Sequence, residues 1–486
     1  MMKHLFRHIL TSMLAATAFA SCSDDSPVAP AAAPDAEVYF SIDLSLPSAS
    51  EGSRSSTKDD GTSSDGTLAA SAEECAIKSM VLVFTSADDN KTLLYTLIGE
   101  SSIKADASDN TRYTASTSLK LSTVTEAIAG KTVNLYVLAN PLPGPFGDLI
   151  GGSFSTMNAA YTVASLDAVQ LDKLGALPMS NAERYTLDGL TDTELAKHLT
   201  TSDPLILNDY CSLTTDNSQL TTPSPVLLER CVARVDYKDR DRTGFNYPAH
   251  TYPLGKSGYT VKIESMQLIN ISKSMYCLRH TSVDGKDDNT VLFGIEKKAS
   301  GFVMDTDAAI KRTGNGTDID FLNSEELKLT TDNTPLTTDN YFLWKYIPEN
   351  TLPSVESQIQ GYTTGVKFHA RITGAPEGVN LDGTDPITIN YQGESITVNH
   401  SPASGNNPAG YYLDYYYFIQ HNDNGLDGVM GVMEYGIVRN NVYRLSLLSI
   451  DGLPRPYGPE EPDEDPRLTL KVRVKKWGYH KIVFDM

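Results

Sequence analysis

The sequence predicts an all-β protein of two tandem antiparallel β-sandwich domains with few short helices, and three observations carry that prediction. Apolar residues alternate with polar ones over short stretches, the period of a half-buried strand. Turn residues separate these stretches at short intervals, as in a sandwich. Tyr 25 against Trp 2, with abundant Thr, Ser and Val, suits pleated surfaces better than helices. At 486 residues the chain is too long for one ordinary core, so two domains are expected once a targeting segment is set aside.

That targeting segment is the N-terminus. Lys3 and Arg7 precede an apolar run, Ile9 to Ala20, that is too short to span a bilayer, which reads as a signal peptide over residues 1–21. Phe19-Ala20-Ser21-Cys22 resembles a bacterial lipobox, with Cys22 as the lipid-bearing residue of the exported chain. Phe19 stands where that motif usually has Leu, and an ordinary cleavage site beside an unrelated cysteine is the alternative. Ser23-Asp24-Asp25 resembles the acidic export tag of surface lipoproteins in Bacteroidetes. Ser, Asp, Pro and Ala from Ser23 to Asp35 read as a tether, since they bury too little to order themselves.

The pattern then changes. Val38, Phe40, Ile42, Leu44 and Leu46 occupy every second position, with Tyr39, Ser41, Asp43 and Ser45 between them, so one face of a strand is apolar. The Ser/Gly/Asp-rich stretch Pro47 to Gly66 follows and contains Arg54 and Lys58. Such exposed loops are where proteases cut, but the residues alone leave Arg54 open between a processing site and a solvated linker arginine.

Further strands are expected at Ile77–Thr85, Leu93–Ile98, Tyr113–Leu119 and Val133–Leu138, and short helices in Leu121–Ala129 and Thr191–Leu199. Ile77-Lys78-Ser79-Met80 recurs as Ile263-Glu264-Ser265-Met266, each after an alternating strand, Val38–Leu46 in one case and Val226–Tyr237 in the other. This echo suggests a duplicated sandwich with a boundary near Pro223-Ser224-Pro225, giving domains 55–225 and 226–466. The second continues through Asn340–Ile347, Thr364–Ile372, Ile387–Val398, Tyr411–Gln420 and Val438–Ile450 to a Pro/Glu/Asp linker at Pro454–Pro466. Beyond it lies a terminal strand segment, 467–486, with Leu468, Leu470, Val472 and Val474 on one face and then His480, Ile482, Phe484 and Met486 at alternate positions. The segment either pairs within its own domain or leaves to pair elsewhere.

Lys+Arg 40 against Asp+Glu 61 gives a net charge of −21, which repels phosphate backbones and excludes nucleic acid as a favoured partner. None of the nine histidines sits in H-E-x-x-H spacing, and no nucleophile elbow, dinucleotide fingerprint or P-loop occurs. No enzyme, cofactor or metal centre is therefore expected. The acidic loop Asn422–Asp427 lacks the distant glutamate of a calcium loop and reads as a turn. Cys75, Cys211, Cys231 and Cys277 lack C-x-x-C spacing and read as thiols in apolar surroundings, with disulfides the alternative.

Four stretches carry a family resemblance: Tyr435-Gly436-Ile437-Val438-Arg439-Asn440-Asn441-Val442-Tyr443-Arg444-Leu445, Leu228-Glu229-Arg230-Cys231-Val232-Ala233-Arg234-Val235, Leu177-Pro178-Met179-Ser180 and Tyr346-Ile347-Pro348-Glu349-Asn350. With the Trp477–Met486 ending, they resemble the fimbrillins of Bacteroidales, the type V pilins, and in particular the shaft subunit of short (minor) fimbriae. The resemblance implies transthyretin-like sandwiches and a lipid-anchored propeptide, residues 22–54, that an extracellular Arg-specific protease removes between Arg54 and Ser55. It implies that the strand Val38–Leu46 leaves with the lipid and that a donor strand bearing His480, Ile482, Phe484 and Met486 from another copy fills its place. The implied partners are further copies, accessory tip and anchor subunits, and host or bacterial surface receptors in adhesion and biofilm formation. A monomeric outer-surface lipoprotein that binds glycan or protein through Tyr411, Tyr412, Tyr415 and Tyr416 is the alternative.

Overall fold

The computed structural model describes residues 35–46, 67–88, 91–109, 111–142, 160–163, 175–182, 184–215, 218–220, 225–239, 249–282, 291–292, 302–313, 319–329, 341–352, 354–405, 407–421, 429–431, 433–458, 462 and 467–478. The chain opens with β1 (Glu37–Ser45), β2 (Thr67–Ala69), the short helix α1 (Ala72–Cys75), β3 (Ser79–Ser86), β4 (Thr92–Gly99), β5 (Ile103–Ala105), β6 (Arg112–Lys120), helix α2 (Leu121–Ile128) and β7 (Val133–Ala139). α2 presents Val124 and Ile128, one helical turn apart, to the interior.

One large sheet runs from Ser218–Leu220 through Cys211–Thr215, Tyr185–Leu187, β7, Met179–Asn181, Val226–Arg230 and β1 to β6 and β5, with β3 pairing β4 and β7. Its inward side chains, among them Phe40, Leu82, Val137 and Leu228, form a first core. A five-stranded sheet is ordered β2, Leu468–Gly478, Asn441–Ile450, Ala233–Asp239, Phe342–Ile347. A six-stranded sheet holds Thr260–Ile269, Gly365–Gly374 and Gly410–Phe418 at its centre. Val235, Tyr443 and Leu445 from one meet Ile263, Phe368 and Leu413 from the other, so the second core is the filling of a sandwich. The pairing is antiparallel in bulk. Parallel exceptions join β1 to Leu205–Ile206 and to Val226–Arg230, Ala233–Asp239 to Asn441–Ile450, and β2 to Leu468–Gly478.

Two expected strands are each two. Val226–Tyr237 divides into Val226–Arg230 in the first sheet and Ala233–Asp239 in the second. The buried apolar positions are even-numbered at Val226 and Leu228 but odd-numbered at Ala233, Val235 and Tyr237, and such a slip in phase turns the chain to another face. Buried residues pass from the first core to the second between Val232 and Ala233. Ile387–Val398 is a hairpin of Ile387–Tyr391 and Glu394–Val398. Its turn is Gln392-Gly393, with φ of 53° and 81°, the backbone that a tight hairpin demands.

The four cysteines among the described residues are free; Cys75, Cys231 and Cys277 are buried and Cys211 is half-buried. Cys75 ends α1, just before β3. Burial raises all four thiols, Cys231 to about 11 and Cys211 and Cys277 to about 12. A soluble chain lacking residues 1–22 is therefore expected to resist an aromatic disulfide reagent at pH 8 and to expose four reactive thiols in denaturant. A fast native reaction of two or more would contradict this packing.

Candidate functional site

β1 lies inside the sheet and not at its edge. On one side it pairs antiparallel with β6 at every residue from Glu37↔Lys120 to Ser45↔Arg112. On the other it pairs parallel with Leu205–Ile206, through Phe40 and Ser41, and with Val226–Arg230, through Leu44 and Ser45. Val38, Phe40, Ile42, Leu44 and Leu46 are each at most 2% exposed, so all five sequence-predicted apolar positions face the first core. At roughly 1.5–3 kcal/mol per buried side chain they supply on the order of 10 kcal/mol, an upper bound because the unfolded chain is itself partly compact.

Further bonds tie both ends of β1. The Leu121 N–H donates to Ala36 O at 2.7 Å, the Leu46 N–H to Thr111 O at 2.9 Å and the Tyr39 N–H to His198 O at 2.9 Å. On the outer face, Thr114 Oγ1 donates to Asp43 Oδ1 at 2.7 Å and Ser118 Oγ to Glu37 Oε2 at 2.9 Å. Asn208 reaches β1 with its side-chain amide, which accepts from the Asp43 N–H at 2.7 Å and donates to Asp43 O at 3.0 Å.

The first half of the terminal segment stays at home. Leu468–Gly478 pairs antiparallel with Asn441–Ile450 from Leu468↔Ile450 to Lys476↔Asn441. Its last three residues also pair with β2, Thr67↔Lys476 to Ala69↔Gly478. The donor assignment for 467–486 is thereby narrowed to the residues after Gly478. His480, Ile482, Phe484 and Met486 lie outside the described residues, as do Cys22, Arg54, Ser55 and the Asn422–Asp427 loop.

The four motif stretches converge where the two cores meet. Arg439 clasps Glu349 with Nε and Nη2, at 2.7 and 2.6 Å, and Nη2 also donates to Tyr276 O at 2.7 Å. Burial opposes its charge, but the Glu349 carboxylate beside it outweighs burial and raises the Arg439 pKa. Arg234 grips Asp236 at 2.6 and 2.8 Å and Glu74 at 3.0 Å, and the Tyr346 hydroxyl donates to Glu74 Oε1 at 2.8 Å. Arg230 Nε donates to Glu74 O at 3.1 Å, the Asn440 N–H to Val232 O at 2.9 Å and the Cys231 N–H to Pro178 O at 2.9 Å. Glu74 thus joins the segment after β2 to both halves, and Tyr113 Oη ties β6 to the same turn through Cys75 O at 2.8 Å. Sequence reasoning named the arginines of this junction but missed Glu74 and Asn208. Glu74 had a signal, because Ser71-x-x-Glu74 is a capping box, which α1 forms. Asn208 had none.

Of the four surface tyrosines in the sequence reading, Tyr411 and Tyr415 point into the second core, each 1% exposed. Tyr412 and Tyr416 are half-buried, with Tyr412 stacked on His369 and Tyr416 tilted against Tyr457. Among the described residues, no group of three metal-binding side chains occurs, and no helix is long and apolar enough to cross a membrane.

Residues 410–482 match the family described as major fimbrial subunit protein type IV, fimbrillin, C-terminal. No curated protein matches the chain. Among solved structures, it is similar to a candidate cell adhesion protein from Parabacteroides distasonis, at 16% identity over 92% of this chain and 99% of that one, TM-score 0.47. It is similar to the C-terminally truncated tip fimbrial protein of Porphyromonas gingivalis, at 11% identity over 91% and 100%, TM-score 0.41. It is also similar to a fimbrilin from Porphyromonas gingivalis W83, at 11% identity over 91% and 98%, TM-score 0.37.

Two outcomes are expected of these contacts. Ile42→Ala should cost about 2–5 kcal/mol in urea unfolding, against less than about 1 kcal/mol for Asp43→Ala on the outer face; equal costs would mean that β1 is not seated in the core. His280 stacks on Tyr276 at 3.7 Å, and burial, aided by Arg439, lowers its pKa to about 4. Its folded pKa is below the unfolded value of about 6.5, so its stability contribution is complete above pH 6.5 and is lost as pH falls toward 4. The difference in thermal midpoint between the wild type and His280→Gln should therefore shrink from pH 7.5 to pH 4.5, and a constant difference would refute the assignment.

Proposed function

We propose that this chain, whose residues 410–482 match the fimbrillin C-terminal family, is a structural subunit of a cell-surface fimbria, assembled by exchange of β1 for a strand of another copy. The observation that carries the reading is a nine-residue strand paired on both sides and apolar-sealed, sitting at the very start of the described chain. Its loss would leave two open sheet edges and an uncovered core, a surface that only another strand can close.

In this reading Cys22 carries the lipid to the outer membrane, and an extracellular Arg-specific protease cuts at Arg54-Ser55, removing residues 22–54 with β1. A cut anywhere between Leu46 and Thr67 severs β1 yet leaves β2 and Glu74, and with them the junction, on the retained chain. The expected boundary between 225 and 226 moves to the Val232–Ala233 step, so the domain of the first core, Val226–Arg230 included, acts as the acceptor and the domain of the second carries the donor. The donor is Tyr479–Met486, whose His480, Ile482, Phe484 and Met486 alternate as Val38–Leu46 do. Donor and acceptor come from different parts of the chain, so the contact is heterologous and propagates as a filament without nucleotide or metal. Tip and anchor subunits would end the fibre, and adhesion to surface receptors and biofilm formation are properties of the assembled form.

The test is to treat the precursor without residues 1–22 with an Arg-specific protease, sequence the new N-terminus and look for SDS-resistant ladders. A Ser55 N-terminus with ladders, abolished by Arg54→Ala and by deletion of 479–486, is expected. A cut but persistently monomeric product would favour the monomeric surface binder instead.

A further inference from the structure

On the side of β1 away from β6, main-chain partners are interrupted. His198 O serves Tyr39, Leu205–Ile206 serve Phe40 and Ser41, and Val226–Leu227 serve Leu44 and Ser45. Between the last two lies a break in the sheet, and there the Asn208 amide takes both main-chain groups of one residue, the N–H of Asp43 at 2.7 Å and its C=O at 3.0 Å. Such a donor and acceptor pair is what a neighbouring strand would offer. Asn208 is 4% exposed and sits in the single turn Leu207–Tyr210, behind the fully buried Leu207. The Asp43 carboxylate points outward to Thr114, and both bonds between the amide and Asp43 are to its main chain.

We propose that Asn208 is a main-chain clamp of the groove, gripping whichever extended segment occupies it at the register of Asp43, whatever side chain that segment carries there. The ligand class is an extended peptide with a free N–H at that register. The inference deepens the strand-exchange reading and rests on it only for the identity of the incoming strand. An Asn amide suits a site whose occupant must change, because a clamp that reads only peptide groups needs no matching side chain. Proline, lacking the N–H, is the residue it rejects. The Tyr479–Met486 segment contains no proline.

The experiment uses the full chain from residue 23 with a unique protease site engineered between residues 47 and 66, so that nicking leaves β1 held only by non-covalent contacts. Displacement of the nicked fragment is followed with a fluorescent synthetic peptide of residues 35–46 and with the same peptide N-methylated at Asp43. On the unaltered protein, N-methylation should weaken capture by about tenfold or more, the order expected when a buried polar group is left unsatisfied. In Asn208→Ala the unmodified peptide should already be weakened about as much, and N-methylation should add little, because the interaction it removes is gone. Asn208→Asp keeps the size but cannot donate to the C=O, and serves if the alanine variant folds poorly; it too should bind more weakly than Asn208. A methylation penalty equally large with and without Asn208 overturns the clamp. A peptide of residues 479–486 separates the two ideas: if it fails where 35–46 succeeds, the donor assignment falls and the clamp stands.

Discussion

A strand in the interior of a sheet has to satisfy its hydrogen bonds on two sides and its apolar face on a third, and β1 is such a strand. Val38, Phe40, Ile42, Leu44 and Leu46 seal the first core while β6 on one side and Leu205–Ile206 with Val226–Arg230 on the other take its main chain. An edge strand can be lost at the cost of one row of hydrogen bonds, but an interior strand divides the sheet when it goes. The rest of the first core is arranged around that fact: α2 starts where β6 ends and donates back to Ala36, and the Leu207–Tyr210 turn puts Asn208 between the Leu205–Ile206 and Val226–Arg230 ladders.

The junction between the cores uses a different kind of interaction. Glu74, Arg234, Asp236, Glu349 and Arg439 are each at most 5% exposed, where an unpaired charge costs several kcal/mol and paired charges roughly break even. The pairs are therefore poor evidence of added stability. Their geometry does restrict alternatives, because bidentate contacts such as Arg439 with Glu349 tolerate little sliding. The motif residues that carry the resemblance are spent here, on relating one core to the other, and only indirectly on the groove. Glu74 belongs to a segment that follows β1 by about thirty residues of chain, so a cut between them leaves Glu74 on the retained part.

The sequence was most legible where period and burial agree. The alternation of Val38 to Leu46 specified both the strand and the face it buries, and the runs that became β3, β4, β6 and β7 were found within two residues of their ends. Legibility failed where a contact is made by a single side chain across a long separation. Nothing local marks Asn208 as the partner of a residue 165 positions away, because an Asn in a polar turn is ordinary. The division at Cys231-Val232 could have been read from the shift of apolar parity, but a continuous apolar run masks such a shift. The in-chain pairing of Leu468–Gly478 was one of two open readings, because its alternation is equally good for a partner in its own domain or in another.

That last ambiguity has a physical resolution in where β2 lies. β2 comes from the segment after β1, yet it pairs with Lys476, Trp477 and Gly478, at the edge of the second sandwich. The strand Leu468–Gly478 is therefore held on both sides, by Asn441–Ile450 and by β2, and to leave it would have to break both ladders and uncover Leu468. Under the proposed exchange, a donor confined to Tyr479–Met486 would be short, and would gain less from apolar burial than the nine-residue strand it would replace. Main-chain contacts would then weigh more in the balance, the circumstance in which the proposed Asn208 clamp would matter most.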